Sequence, residues 1–421
     1  MELPLSNKGP EQFVQKHGAS VIRRIVSRRN GGSSASTIKR IKGRHQDGHD
    51  YDLQSAFECS WLRSQNWPPL NPIVKKHVRT ADLFCGCGAM SLGVWEACRA
   101  LQLKMIPTFA VDLNADAVAT YTLNFETKAA RVGDIFDFID GELGQRETCR
   151  ETAFKNQIGE IDILMGGPPC QGHSDLNNHT RRNDPKNLLI FRMARFAELF
   201  RPKHVIIENV QGIRHDKNSA AQKTKAFLQS IGYNVDDGLI LGSHVGVAQR
   251  RRRFFMVASL VVIPQIAKMA SDYVTTERTI EWACQDLVDV KGTTTFDTAA
   301  QHSHTNVERI NYLFDHNIYD LPDIVRPDCH RLKAHDYKAV YGRLRPKEPA
   351  PTITTGFGST GQGRFVHPLR RRTITPHEAA RLQFIPDFFK FGDIGRRSMQ
   401  LLIGNAVPPK MAYVIALDLL R

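Results

Sequence analysis

From Thr80 to Ser259 short apolar runs alternate with amphipathic segments, and this alternation limits the chain to few folds. ADLF (81–84), IPTFAVD (106–112), EIDILM (160–165) and KHVIIENV (203–210) read as strands. Segments 89–101, 115–125, 188–200 and 224–231 read as helices, and RFFMVAS (253–259) closes the series as a strand. Strand and helix in repeated succession predict an α/β fold with a doubly wound, mostly parallel sheet. Ligands of such sheets bind beyond the carboxyl ends of the strands, so the residues there carry the functional argument.

The first such end is DLFCGCGAMSLG (82–93), a strand running into a helix through Gly86 and Gly88. Glycines let backbone approach a ligand at a helix N-terminus. The dinucleotide pattern G-x-G-x-x-G is absent, because the next glycine is Gly93. The second strand ends in Asp112, where a carboxylate commonly holds a ribose diol. Asp134, in VGDIF, follows and suits an adenine amino group. Singly, each acid reads as a cap or a solvated residue. In series they favour an adenosyl ligand without pyrophosphate, such as S-adenosylmethionine.

The third end is GGPPCQGHS (166–174). Proline fixes its own φ and biases the residue before it to extended geometry, so two prolines stiffen the loop and aim the thiol of Cys170. A buried structural cysteine needs no such lead-in, and Cys170 is the candidate nucleophile. KHVIIENV brings Glu208 to a neighbouring strand end, where burial raises a carboxyl pKa and lets it donate a proton to a ring nitrogen. GVAQRRRRFFMV then leads four arginines into a strand. Alternation puts Arg251 and Arg253 on one face and Arg250 and Arg252 on the other, so that one pair can reach the substrate while the other meets solvent or phosphate.

The rest bounds the molecule. A net charge of +14 suits a polyanionic partner. The eight cysteines form no C-x-x-C pair and no zinc-finger spacing, and no metal site is expected. No apolar run reaches the length of a membrane span and no secretory signal is visible, so a cytoplasmic location is expected. Residues 1–77 read as a basic, partly disordered extension: a helix over 11–28, then a Ser/Gly-rich mobile linker. Its removal is expected to spare the chemistry. The remaining chain divides into a cofactor-binding catalytic domain (78–258), a smaller irregular domain (259–395) and a helical segment (396–421) that returns to the first.

In this order, Cys170, Glu208 and the Gln-x-Arg-x-Arg of Gln249, Arg251 and Arg253 resemble the C5-cytosine DNA methyltransferases, prokaryotic and stand-alone in type. DLFCGCG, Asp112, GDI (133–135), GGPPCQ, ENV (208–210), QRRRR, RLRPKEPAPTIT (343–354), RTITPHEAARLQFIPDFFKF and GNAVPP (404–409) all match family motifs, over about residues 79–421. Two positions depart: the ribose acid is often Glu where this chain has Asp112, and His173-Ser174 stands where many members have Phe-Ser.

The resemblance implies a methyl transfer from S-adenosylmethionine to C5 of a flipped-out cytosine in a specific sequence of double-stranded DNA. It implies Cys170 as nucleophile at C6, Glu208 on N3 and the exocyclic amine, and Arg251 and Arg253 supporting the base. Phe84, Gly86, Gly88, Asp112, Asp134, Ile135, Pro169 and Asn405 are implied for the cofactor. Residues between Ala258 and about Gly342 are implied for reading DNA sequence. A monomer is expected, nucleoid-associated, with a restriction endonuclease as its functional counterpart. Two other readings stay open. A tRNA cytosine-5 methyltransferase would usually carry a Cys-Phe-Thr tripeptide, which is absent. A catalytically silent DNA-binding protein would not need Cys170, Glu208 and Arg253 intact.

Overall fold

A computed structural model describes residues 11–26, 33–40, 52–169, 189–216, 219–332 and 339–421. Among the described residues the first elements are three strands, β1 (Glu11–His17), β2 (Ser20–Val26) and β3 (Ser33–Lys39), and a helix, α1 (Leu53–Leu62). The alternating region follows as β4 (Lys76–Leu83), α2 (Ala89–Ala100), β5 (Leu103–Asp112), α3 (Ala115–Asn124), β6 (Ala129–Val132), α4 (Cys149–Ile158) and β7 (Ile163–Gly166). It continues with α5 (Ile190–Phe200), β8 (His204–Asn209), α6 (Ala220–Ser230), β9 (Asn234–Leu241) and β10 (Arg252–Ser259). Helices then prevail: α7 (Ile266–Asp272), α8 (Ile280–Cys284), α9 (His304–Asp315), α10 (Asp328–Arg331), α11 (Pro376–Leu382), α12 (Arg396–Asn405) and α13 (Pro409–Leu420).

Among the described residues β4 to β10 form a seven-stranded sheet in the order β6-β5-β4-β7-β8-β10-β9. β4 pairs in parallel with β5 and β7, β5 with β6, and β7 with β8; β10 runs antiparallel to both β8 and β9. The expected α/β sheet is present and is mostly parallel. Two apolar clusters cover its faces. One gathers residues of α2, α3 and α13; the other gathers Phe154 of α4 with Met193, Phe196 and Phe200 of α5 and Leu228 of α6. Strands buried on both sides explain why their sequences are near-continuous apolar runs.

The helix expected over 11–28 is a β-hairpin instead. Gly18 stands at φ +56° between His17 and Ser20, which pair across the turn. A two-residue turn with positive φ favours a hairpin, and a Gly inside the run was its sequence signal. The expected mobile linker also gives way in part, because β3 pairs with β2 over Ser33–Lys39. Its inward residues are Ser34, Ser36 and Ile38, so the alternation is real but carries little hydrophobic signal. α1 is buried from Ser55 to Leu62.

Residues 266–284 and 379–391 were expected in the smaller domain. Ile266, Met269, Trp282, Ala379, Phe384 and Phe388 instead join the large cluster with α1 and α13. A separate small cluster forms around Ile310, Leu313, Leu321 and Val366. α13 lies along α2 so closely that a Cβ on Gly93 would stand 2.2 Å from Pro409 O.

Candidate active site

The carboxyl ends of β4, β5, β7 and β8 and the start of β10 meet at one cleft of about 1210 Å³. Its walls include Phe84, Gly86, Asp112, Asp134, Ile135, Pro169, Glu208, Arg251, Arg253 and Asn405. The structure thus brings together ten of the twelve residues proposed from sequence. Gly88 is not on the wall: at φ +88° it caps α2, and a Cβ there would come within 2.8 Å of the Tyr121 and Phe125 rings. Gly88 is therefore required by packing behind the loop. Cys170 lies outside the described residues, as do Gln171, His173 and Ser174.

At one end the cleft is acidic. Phe84 turns at φ +59°, a conformation few non-glycine residues hold. The loop it begins is pinned by Asp112, whose carboxylate accepts from Gly86 N–H at 2.9 Å and from Asn114 N–H at 2.9 Å. Carboxylate oxygens each have a second lone pair, so Asp112 retains acceptor capacity towards the cleft. Asp134 caps the short turn 135–137 by accepting from Phe136 N–H at 3.1 Å. Beneath them Asp82 is buried and accepts from Ser91 Oγ at 2.6 Å. Burial pushes the Asp82 carboxyl well up, against the pull of the Ser91 hydroxyl. Sequence reasoning missed Asp82 and the exposed Leu113, both on the wall. A lone acid inside the buried run ADLF was the available signal for Asp82.

The other end is basic around one carboxyl. Arg253 Nε donates to Glu208 Oε1 at 2.9 Å. Burial pushes the Glu208 carboxyl up; Arg253 and Arg251 pull it back, and the balance stays above the usual glutamate value. Asn209 Nδ2 donates to Pro168 O at 3.2 Å and so ties the Gly-Gly-Pro-Pro segment to β8.

Arg251 is buried and Arg253 partly buried, Arg250 and Arg252 are exposed, and all four line the cleft. Their duties differ. Arg253 meets Glu208, whereas Arg251 donates to Ile353 O at 2.9 Å and Gly404 O at 3.1 Å. Gln249 completes this lacing: its amide donates to Gln383 Oε1 at 2.9 Å and accepts from Ile353 N–H at 2.7 Å. The arginine segment is thus stitched to the segments that carry Thr354 and Asn405.

S-adenosylmethionine fits the acidic end. Gly86 leaves open space where a Cβ would stand, so backbone faces the cleft there. Two carboxylates flank apolar Phe84, Leu113 and Ile135 on the same wall. That donor set suits ribose hydroxyls, an adenine amine and a sulfonium cation together. Among the described residues no group of three or more His, Cys, Asp or Glu is placed to hold a metal ion, and no helix is long and apolar enough to cross a membrane.

Comparisons with known proteins bear on family and fold. A family model described as C-5 cytosine-specific DNA methylase matches residues 78–421. Type II methyltransferase M1.BsuMI of Bacillus subtilis (strain 168) is 48% identical over 421 residues, covering 100% of this chain and 97% of its own. Type II methyltransferase M.DdeI of Desulfomicrobium norvegicum is 28% identical over 383 residues, covering 80% of this chain and 86% of its own. Among solved structures, S. pombe Dnmt2 methyltransferase superposes with a TM-score of 0.57 at 18% identity, covering 82% of this chain and 98% of that one. At that identity the likeness is one of fold. The chain belongs to the C-5 cytosine-specific DNA methylase family, and is thereby an S-adenosylmethionine-dependent methyltransferase of DNA cytosine.

Proposed function

We propose that the protein is the modification enzyme of a Type II restriction–modification pair, marking one cytosine within a specific double-stranded DNA sequence. The observation that carries the site reading is the cleft itself, acidic where an adenosyl group fits and basic around Glu208. Bound at the acidic end, S-adenosylmethionine supplies an electrophilic methyl group. Asp112 and Asp134 orient it through its hydroxyl and amine groups, while Phe84 and Ile135 give apolar walls. Asn405, at the end of α12, adds a polar contact.

The cytosine enters from the basic end, out of the stack, because C5 and C6 are shielded within a duplex. The Cys170 thiolate bonds to C6. Negative charge then builds on the ring, and the proton of Glu208 passes to N3 to offset it. C5, now nucleophilic, takes the methyl group. That transfer leaves the donor's sulfonium sulfur as a neutral thioether. Loss of the C5 proton to solvent then restores the ring, expels the thiolate and returns the N3 proton to Glu208, so Cys170 and Glu208 are both regenerated. Arg253 keeps the Glu208 carboxyl oriented, and Arg251 holds the wall behind it. The net charge of +14 draws the polyanion towards this cleft.

The test is transfer of labelled methyl to mixed-sequence duplex DNA and, in parallel, to total tRNA, by wild type and Cys170→Ser. Label on DNA that disappears in the variant is expected, and bisulfite sequencing then reads the target sequence. Label on tRNA alone would move the protein to RNA, and activity retained by Cys170→Ser would remove the assigned nucleophile.

A further inference from the structure

β2 and α1 precede the segment matched by the family model, yet through Arg23 and Glu58 they bury charge against it. Glu58 of α1 is 3% exposed. Its Oε1 accepts from Lys410 Nζ at 2.9 Å and its Oε2 from Arg278 Nε at 3.1 Å. A carboxylate at this depth stays charged only with such partners. Burial pushes Glu58 up, but Lys410 and Arg278 outweigh it and hold the carboxyl below its ordinary value.

Lys410 stands in the first turn of α13. A cation there opposes the helix dipole and the unpaired N–H groups, so it needs an anion nearby. Glu58 is that anion. Immediately before Lys410 runs the turn that ends α12, and its Asn405, Ala406 and Val407 line the cleft. From the cleft side the same turn is held by Arg251 on Gly404 O. From behind it is pressed on α2 at Gly93. The turn is short and carries Pro408 and Pro409, so a shift of Lys410 passes directly to Val407 and Asn405.

We propose that Glu58 is a positioning residue of the cofactor cleft: through Lys410 it sets the 405–408 turn, and with it Asn405 and Val407. The N-terminal segment then supports the site's wall from behind, acting through charge. This rests on the acidic end of the cleft holding S-adenosylmethionine.

The experiment is calorimetric titration of the full chain with S-adenosylmethionine, without DNA, joined to KM for each substrate. Lys410→Met removes the cation and leaves Glu58 with Arg278; Glu58→Gln removes the carboxylate; the double variant removes both charges. Each folded single variant is expected to bind S-adenosylmethionine roughly 5- to 30-fold more weakly, with the KM for DNA unchanged. The double variant is expected to lose less than the two single losses combined. Wild-type affinity in a folded single variant, whatever its Tm, would overturn the proposal by leaving Glu58 only a structural role. Lys410→Met decides the matter if Glu58→Gln does not fold. Wild-type protein that fails to bind S-adenosylmethionine would overturn the cofactor reading, and this one with it.

Discussion

Glu208 and Arg253 form the most informative pair of side chains in the protein. The carboxyl must deliver a proton, so its protonated form is the active one. Burial raises its pKa and the guanidinium at 2.9 Å lowers it again. Activity should therefore fall as pH rises through the Glu208 pKa. Arg253→Met removes the strongest downward pull and should shift this alkaline limb to higher pH, while lowering the plateau by about 10²-fold. Single-turnover methyl transfer across pH measures both. A limb that does not move would show that another group sets it. At this scale the sequence was legible where chemistry demands one residue type at one strand end, as at Asp112, Asp134 and Glu208. It was not legible at Gly88, because a glycine needed by an aromatic floor and one needed by a ligand look the same in a string.

Between elements, buried ion pairs decide which segments stay together. Glu378, in the first turn of α11, accepts from Thr375 N–H at 2.8 Å and pairs with Arg372 at 2.7 Å and His367 at 3.3 Å. Burial pushes its carboxyl up, but the Arg372 and His367 contacts win and hold it at about 2, below its ordinary 4.5. A carboxyl depressed by folding stabilises the native state above its unfolded pKa, and that stability drains away as pH falls through the folded pKa. Glu378→Gln should thus cost about 3–5 kcal/mol near neutrality, because it strands Arg372 beside a buried site. It should also flatten the stability profile between pH 4.5 and 2. Urea unfolding at several pH values checks both, and an unchanged slope would count against Glu378 as the titrating group. Strands such as β5 and β8 could be read in advance because burial on both faces leaves an unbroken apolar run. β1 and β2 could not, since Phe13, Val14, Val21, Ile22 and Ile25 satisfy a helical period about as well as an alternating one. Only the Gly18 turn separates the two.

For the molecule as a whole, the described residues ahead of Arg63, 11–26, 33–40 and 52–62, pack into the core through charge. Arg23 of β2 pairs with buried Glu96 of α2 at 2.7 Å, and Glu58 pairs with Lys410 and Arg278. Deleting residues 1–62 leaves Glu96 to Arg99 alone and both cations without their shared carboxylate. The expected result is a chain that no longer folds, in contrast to the dispensable tail that composition suggested. Circular dichroism and thermal unfolding of the deletion test this; a cooperative transition near the full-length Tm would refute it. Local pattern misled because an arginine in SVIRRIV looks solvated whether or not it meets a buried acid. Such a pairing joins residues 73 positions apart, a distance that local pattern does not span.

The contact of α13 with α2 has a consequence for how the protein is made. α2 is complete by Ala100, and the helix that covers it, starting at Pro409, is synthesised roughly 300 residues later. Synthesis runs at roughly 5–20 residues per second, and early segments begin to fold while later ones are still awaited. Throughout that interval the nascent chain carries an open apolar seam along α2 and an unfinished wall beside Asp112. A polypeptide released before α13 is made is therefore an aggregation-prone fragment with no methylating activity.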